Sequence, residues 1–359
     1  MKKRLWIPAL VAVIFIGDRI GGFFLEKMVA ESQFRYSRLY HSTDNADVIL
    51  LGNSRGLTFY QPEIERLTGL STLNLSYNGL PMDLGKTLVE DYLDHHAAPK
   101  TLVIDVTMCE RKNAALVTSF KTYAAASPRL AELLRGTDAT AFWSSQLLHL
   151  YRYNSEVFQR AAFYRSKSDK DWLLDRTITA AMVNDATLGG FKKGLEGDEV
   201  RHVAELVAYA QARGVAVQLV ISPYFPRFAE HIEQPFLHPL TDAVEKATGL
   251  TVHNYATLLA DATDFGDYQH PNKRGSLKYI QKLDTDGVFG EQTAIGSLPQ
   301  NFRQQSFETM LLPSANAAPS VVFVSNPSTP SVSSPKKTTS ARWRHVAHWF
   351  AADTLFSMK

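Results

Sequence analysis

The sequence predicts an α/β protein whose centre is a parallel sheet with helices on both faces. Two observations predict it. Short, continuously apolar runs recur through residues 46–290, as strands buried on both sides require. Longer stretches with apolar residues at helical spacing lie between them, the alternation that builds strand–helix–strand units. Bulk composition fits a globular chain: 45% of the 359 residues are hydrophobic and 21% charged.

Taken in order, Met1-Lys2-Lys3-Arg4 is a basic cluster joined directly to an apolar run from Leu5 to Gly17. Asp18-Arg19 interrupts, and Ile20 to Leu25 is apolar again. This pattern predicts a signal anchor or transmembrane segment over 1–25. No small-x-small cleavage site follows cleanly, with Gly17, Gly21 and Gly22 the only candidates, which favours an uncleaved anchor over a cleaved signal. The flanking charge puts Lys2, Lys3 and Arg4 in the cytoplasm and the rest of the chain outside. A buried N-terminal helix of a soluble protein is the alternative; the abutting basic cluster argues against it. A polar helical connector is expected over 26–45.

Strands are expected at Asp47–Leu51, Ser71–Leu75, Thr101–Val106, Val215–Ile221 and Leu250–Asn254, with helices such as Met82–His95, Glu199–Arg213 and Pro239–Thr248 between them. In the second of these helices Val200, Val203, Val207 and Ala210 share a face, with Asp198 as expected N-cap and Gly214 as the stop. A helical insertion fills 108–197. There Ser127-Pro128 starts one helix that Gly136 ends, and a second pattern spans 140–165. The insertion carries Phe142, Trp143, Tyr151, Tyr153, Phe158, Phe163, Tyr164 and Trp172, most of them expected in the core and some on a lid or substrate wall. A Ser/Pro/Thr/Ala-rich linker without fixed structure is expected over 300–340, densest from 313. At 341–359, Trp343, Val346, Trp349 and Phe350 among Arg342, Arg344, His345 and His348 predict an amphipathic tail able to lie on a membrane surface, or only a weak docking tail.

Several functions are disfavoured. Thirty-eight basic and 36 acidic residues give a net charge of +2, so nucleic acid is not expected as a partner. The single cysteine, Cys109, excludes an internal disulfide and a cysteine-rich metal site. His95, His96, His231, His238 and His253 lack the spacing of a closed zinc site, and no glycine-rich phosphate cradle is present. Neither a metal nor an organic cofactor is therefore expected.

Two loops carry chemistry. Gly52-Asn53-Ser54-Arg55-Gly56 closes the first strand. A nucleophilic serine needs such a sharp turn, which exposes its hydroxyl and aims backbone N–H groups at a developing oxyanion. A turn serine capping the next helix is the alternative. Near the other end, Asp267-Tyr268-Gln269-His270 precedes Pro271-Asn272 and a helical pattern to about Lys282. A carboxylate three residues before an imidazole can orient it, leaving the second ring nitrogen to act as general base toward Ser54. An α/β-hydrolase arrangement fits poorly, because several strands precede the elbow in that fold and only one precedes Ser54.

In these two loops the chain resembles the SGNH (GDSL-type) hydrolase superfamily. Gly52-Asn53-Ser54 stands for its first block, with Asn where Asp is usual. Asp267-x-x-His270, continued by His270-x-Asn272-x-x-Gly275, stands for its last. The resemblance covers about residues 45–285 outside the insertion. It implies a three-layer flavodoxin-like sheet, with Ser54, Asp267 and His270 as catalytic residues. It also implies an oxyanion hole made by the N–H groups of Ser54 and of Gly79, in Asn74-Leu75-Ser76-Tyr77-Asn78-Gly79. The family's G-x-N-D block has no counterpart after the third strand, where Asp105-Val106-Thr107-Met108-Cys109-Glu110 stands instead; Asn78 and Asn113 are the candidates for its side-chain donor. With an anchor and a G-[NDS]-S-R loop, the chain is similar to the branch that includes alginate-type O-acetylation and teichoic-acid D-alanylation proteins. That likeness implies a bacterial inner-membrane protein with a single anchor and a periplasmic or extracytoplasmic domain. It further implies esterase or acyltransferase chemistry on a glycan or small ester, alongside envelope polysaccharide biosynthesis proteins. Arg55 would then contact an anionic substrate, or lie on the surface. A non-catalytic scaffold or glycan-binding member retaining the fold is the alternative.

Overall fold

Strand formation follows the apolar runs. In the computed structural model β1 (Val48–Leu51), β2 (Thr72–Asn74), β3 (Thr101–Asp105), β4 (Ala216–Ile221) and β5 (Val252–Asn254) pair in parallel, in the order β2-β1-β3-β4-β5. The structure describes residues 6–170, 173–190 and 193–290; the basic cluster at 1–4, Trp172, the 300–340 linker and the 341–359 tail lie outside them.

Every residue of β1 and β3 is buried, so no polar alternation could be tolerated there. Successive side chains serve two cores. Ile49, Leu51, Leu102, Ile104, Leu219 and Ile221 join the larger, whereas Val48, Leu50, Val103 and Val220 join the smaller. The larger is covered by α4 (Met82–His95), α10 (Gly197–Gln211), α11 (Pro226–Ile232) and α12 (His238–Thr248), through residues such as Leu88, Leu206, Phe228 and Val244. The smaller is covered by α3 (Gln61–Thr68) and α13 (Lys273–Thr285), through Ile64, Tyr279, Ile280 and Leu283. Helices thus lie on both faces, and the strands' carboxyl ends remain the open edge where α/β proteins bind ligands.

Local details differ from expectation. Glu196, not Asp198, is the N-cap of α10; Asp198 lies in the first turn and pairs with Lys112 at 2.7 Å. Gly214, at φ 76°, sits in the left-handed region just after that helix. The insertion contains α5 (Ala114–Ser119), α6 (Pro128–Thr137), α7 (Ala139–Leu147), α8 (Glu156–Phe163) and α9 (Ala180–Asn184). Gly136 lies within α6 and does not end it; Asp138 does, and its side chain accepts from the Ala141 N–H to start α7. The single helix expected over 140–165 is divided by a 3₁₀ turn at Leu150–Tyr153, after which Ser155 caps α8.

At the N-terminus one helix, α1 (Trp6–Ala30), runs through Asp18-Arg19 and is long and apolar enough to cross a membrane. Residues 26–45 are more than a connector: α2 (Arg35–His41) places Tyr36 and Leu39 in the larger core.

Candidate active site

The turn after β1 is a knot of backbone bonds made by short polar side chains. Asn53 Oδ1 accepts the Arg55 N–H at 3.0 Å, and the Gly56 N–H donates to the Asn53 carbonyl at 3.1 Å. An amide oxygen makes this bond as well as a carboxylate does, which accounts physically for Asn at position 53. Asn74, at the end of β2, donates to the carbonyls of Gly56 at 2.9 Å and Phe59 at 3.2 Å, tying the turn to the neighbouring strand. Gly56 has no room for a side chain, because a Cβ would stand 2.2 Å from Ser76 Oγ. Within this buried turn Ser54 alone is half-exposed.

The second loop is built around Asn272, which explains the H-x-N-x-x-G spacing. Its Oδ1 accepts from the Gly275 N–H at 3.2 Å as the N-cap of α13, and its Nδ2 donates to the Thr263 carbonyl at 2.8 Å. Gly275 packs on the Asp264 carbonyl, only 2.2 Å from where a Cβ would be. The loop closes on itself through Gly266 N–H to the His270 carbonyl at 2.9 Å. Segment 174–178 of the insertion braces it: Lys273 N–H donates to the Leu174 carbonyl at 2.8 Å and Ile178 N–H to that of Phe265 at 2.7 Å.

These loops meet at the carboxyl edge. His270 Nε2 lies 2.9 Å from Ser54 Oγ across 216 positions of sequence, and His270 Nδ1 lies 2.8 Å from Asp267 Oδ1. Because a carboxylate only accepts, Nδ1 carries the proton, and in the neutral ring Nε2 is left to accept from the serine hydroxyl. Asp267 Oδ1 also accepts from the N–H groups of Gln269 at 2.9 Å and His270 at 3.0 Å; its Oδ2 takes Arg176 at 3.0 Å. Burial pushes the Asp267 carboxyl up, but the His270 hydrogen bond and charge, the Gln269 N–H and Arg176 together hold it well below the usual carboxylate range. The arrangement can deprotonate a serine hydroxyl and stabilise the imidazolium that results.

Gly79 sits at φ 69° in a loop joined to the serine turn by Tyr77 N–H to the Gly52 carbonyl at 3.3 Å. Among the described residues, the backbone N–H groups of Ser54 and Gly79 have no hydrogen-bond acceptor. Asn113 is an N-cap, its Oδ1 accepting from Leu116 N–H at 3.2 Å while its Nδ2 donates to the Gly79 carbonyl at 2.8 Å; it positions Gly79 from behind. Asn78 is exposed.

Arg55 corrects the expectation of a surface or substrate-facing group: it is 1% exposed. Its guanidinium donates to the Ser222 and Gln269 carbonyls, stacks 3.3 Å above the Tyr224 ring, and has Asp105 Oδ2 3.9 Å from its Nε. One side chain thus joins the serine turn to the ends of β3 and β4 and to the residue preceding His270. Beside Gly79 stands an exposed cation, Arg111, whose Nη2 is 3.5 Å from where a Gly79 Cβ would be. Arg176, Asn74 and Asp105, whose Oδ2 accepts from the Ser222 hydroxyl, are not among the functional residues expected from the sequence. Asn74 and Asp105, polar residues closing apolar strands at the carboxyl edge, were signals that could have been used; nothing local marks Arg176.

Comparison of the chain with protein-family models and with curated protein sequences gave no match.

Proposed function

We propose that this protein is a membrane-anchored serine esterase or O-acyltransferase of the SGNH type, its sheet the flavodoxin-like core of that fold. One observation carries the reading: the continuous hydrogen-bonded chain Ser54–His270–Asp267, at 2.9 and 2.8 Å. In the first step Ser54 Oγ bonds to the acyl carbonyl carbon while its proton passes to His270 Nε2. The N–H groups of Ser54 and Gly79 bind the oxyanion, a contribution of about 3 kcal/mol per donor in comparable sites. Collapse expels the alcohol, which takes the proton from Nε2, and leaves an acyl-serine. A glycan hydroxyl or water then attacks that ester by the same proton route in reverse. Arg111 beside Gly79 supports an anionic acceptor, such as an acidic envelope or exported polysaccharide, more directly than buried Arg55 does. Delivery to such a glycan fits an extracytoplasmic domain on a single inner-membrane anchor, working beside polysaccharide biosynthesis proteins. A serine and imidazole standing well apart would favour the scaffold alternative; their contact favours the enzyme.

The test is turnover of p-nitrophenyl acetate by the purified full-length protein, with intact-mass detection of an acyl adduct. Ser54→Ala should abolish both turnover and adduct while leaving the melting temperature nearly unchanged. Undiminished turnover by that variant would reject the assignment.

A further inference from the structure

Among the described residues, the large apolar side chains left most exposed fall in two stretches only. One is α1, from Trp6 to Phe24; the other belongs to the insertion, with Trp143 at 62%, Leu147 at 65%, Leu148 and Leu150 at 44%, and Phe163 at 37%. The two stretches touch. Asp18 of α1, itself buried, accepts the backbone N–H groups of His149 at 2.8 Å and Leu150 at 2.9 Å. Arg19 donates to the Leu147 carbonyl at 3.0 Å. Gly21 and Gly22 lie so close to Leu150 and His149 that a Cβ would meet their side chains at 2.9 and 2.5 Å.

Length then fixes depth. At about 1.5 Å per residue, Trp6 to Gly17 rises only about 18 Å, too little for a hydrocarbon layer of about 30 Å. The exposed apolar face must continue past Asp18 to Ile20, Phe23 and Phe24 to span it. The level of α1 at which residues 147–150 are pinned therefore falls within the membrane boundary. The same contact explains how Asp18 and Arg19 are accommodated there, since each finds a backbone partner on the insertion and they pair with each other at 3.6 Å. Trp143 is the kind of residue that favours the headgroup level.

We propose that the tip of the insertion, residues 143–150, dips into the bilayer beside the anchor, giving the domain a second contact with lipid. The inference rests on α1 spanning the membrane and not on the catalytic reading.

It is tested with the full-length chain in phosphatidylethanolamine–phosphatidylglycerol liposomes, carrying one nitroxide at a time; the native Cys109 is fully buried. Labels at Leu147→Cys and Leu148→Cys should be severalfold more accessible to lipid-soluble oxygen, relative to a water-soluble nickel chelate, than a label at exposed Lys246→Cys. Val13→Cys should give the fully embedded value. If Val13→Cys reports lipid while Leu147→Cys matches Lys246→Cys, the tip is in water and the proposal falls although the anchor stands. If Val13→Cys itself reports water, both fall. A Leu147→Cys label shielded from oxygen and nickel alike puts protein, such as a second copy, on this face and overturns the lipid assignment.

Discussion

Asp267 does two separable things, and one substitution tests both. As an anion it fixes the proton on His270 Nδ1 and stabilises the imidazolium that forms; an asparagine keeps an oxygen for Nδ1 and the two backbone N–H groups, but it loses the charge and turns its amide N–H toward Arg176. Asp267→Asn should therefore lower kcat on the order of 10⁴-fold, with little change in KM, as steady-state assay would show. As a carboxylate held below its usual range, Asp267 also contributes to stability. The sign follows from linkage: the contribution is present above the ordinary carboxylate value and is lost only as pH falls through the lowered one. The melting-temperature deficit of Asp267→Asn should stay level from about pH 8 to pH 5 and shrink only in stronger acid. A deficit that disappears by pH 5 would contradict the bonding described. Arg55 shows why neighbouring residues resist reading from sequence. A cation beside a loop serine suggests surface, yet its partners are carbonyls 167 and 214 positions away. Burying a guanidinium is tolerable only with such partners in place.

At the scale of elements, α4 starts without a side-chain cap of its own, since Pro81 holds that position. Glu199 of α10 supplies one from across the layer, its Oε2 accepting the N–H groups of Met82 at 2.6 Å and Asp83 at 3.3 Å. Burial, and then the Asp83 charge, push this carboxyl up to about 7. A raised acid behaves oppositely to Asp267. Between the ordinary carboxylate range and about 7 the folded state holds a proton that the unfolded state has released, so stability falls as pH rises through that window. Glu199→Gln keeps an acceptor oxygen and cannot ionise. Relative to the wild type it should gain about 1–2 kcal/mol between pH 5 and pH 8, measured by urea titration at each pH. Parallel pH profiles would remove Glu199 as the cause. The same scale explains what was legible. Strands β1 and β3 are buried on both faces, so β1 is apolar throughout and β3 is apolar between Thr101 and Asp105, which a sequence displays openly. The Asp267–His270 pairing and the Asn272–Gly275 cap are bonds between near neighbours, so they show as spacing. Arg176 was not legible, because its bond to Asp267 crosses 91 positions from an insertion with no regular pattern at that point. The break in the 140–165 helix was hidden for a related reason: the acceptor of the N–H groups it frees, Asp18, lies 131 positions upstream of His149.

That last contact sets how the whole molecule is joined to its N-terminal helix. Two backbone N–H groups of the 3₁₀ turn after α7 end on one carboxylate of α1, and Gly22 allows the close approach of His149 that brings them there. Were α1 merely a tether, such matching of a buried acid, an arginine and two small residues to a single turn would serve no purpose. The seam makes α1 and the α/β domain one mechanical body. Asp18→Ala leaves both donors without an acceptor at a largely buried position, which should cost about 1–3 kcal/mol. Asp18→Asn retains an acceptor oxygen and should lose less. The loss should be local: hydrogen exchange of the full-length protein in lipid should speed up severalfold over residues 147–153 in Asp18→Ala, while amides of β1 and β3 keep their wild-type protection. Unchanged exchange at 149 and 150 would mean the helix is not seated on this turn in the membrane. Faster exchange throughout the sheet would mean the contact supports the fold as a whole.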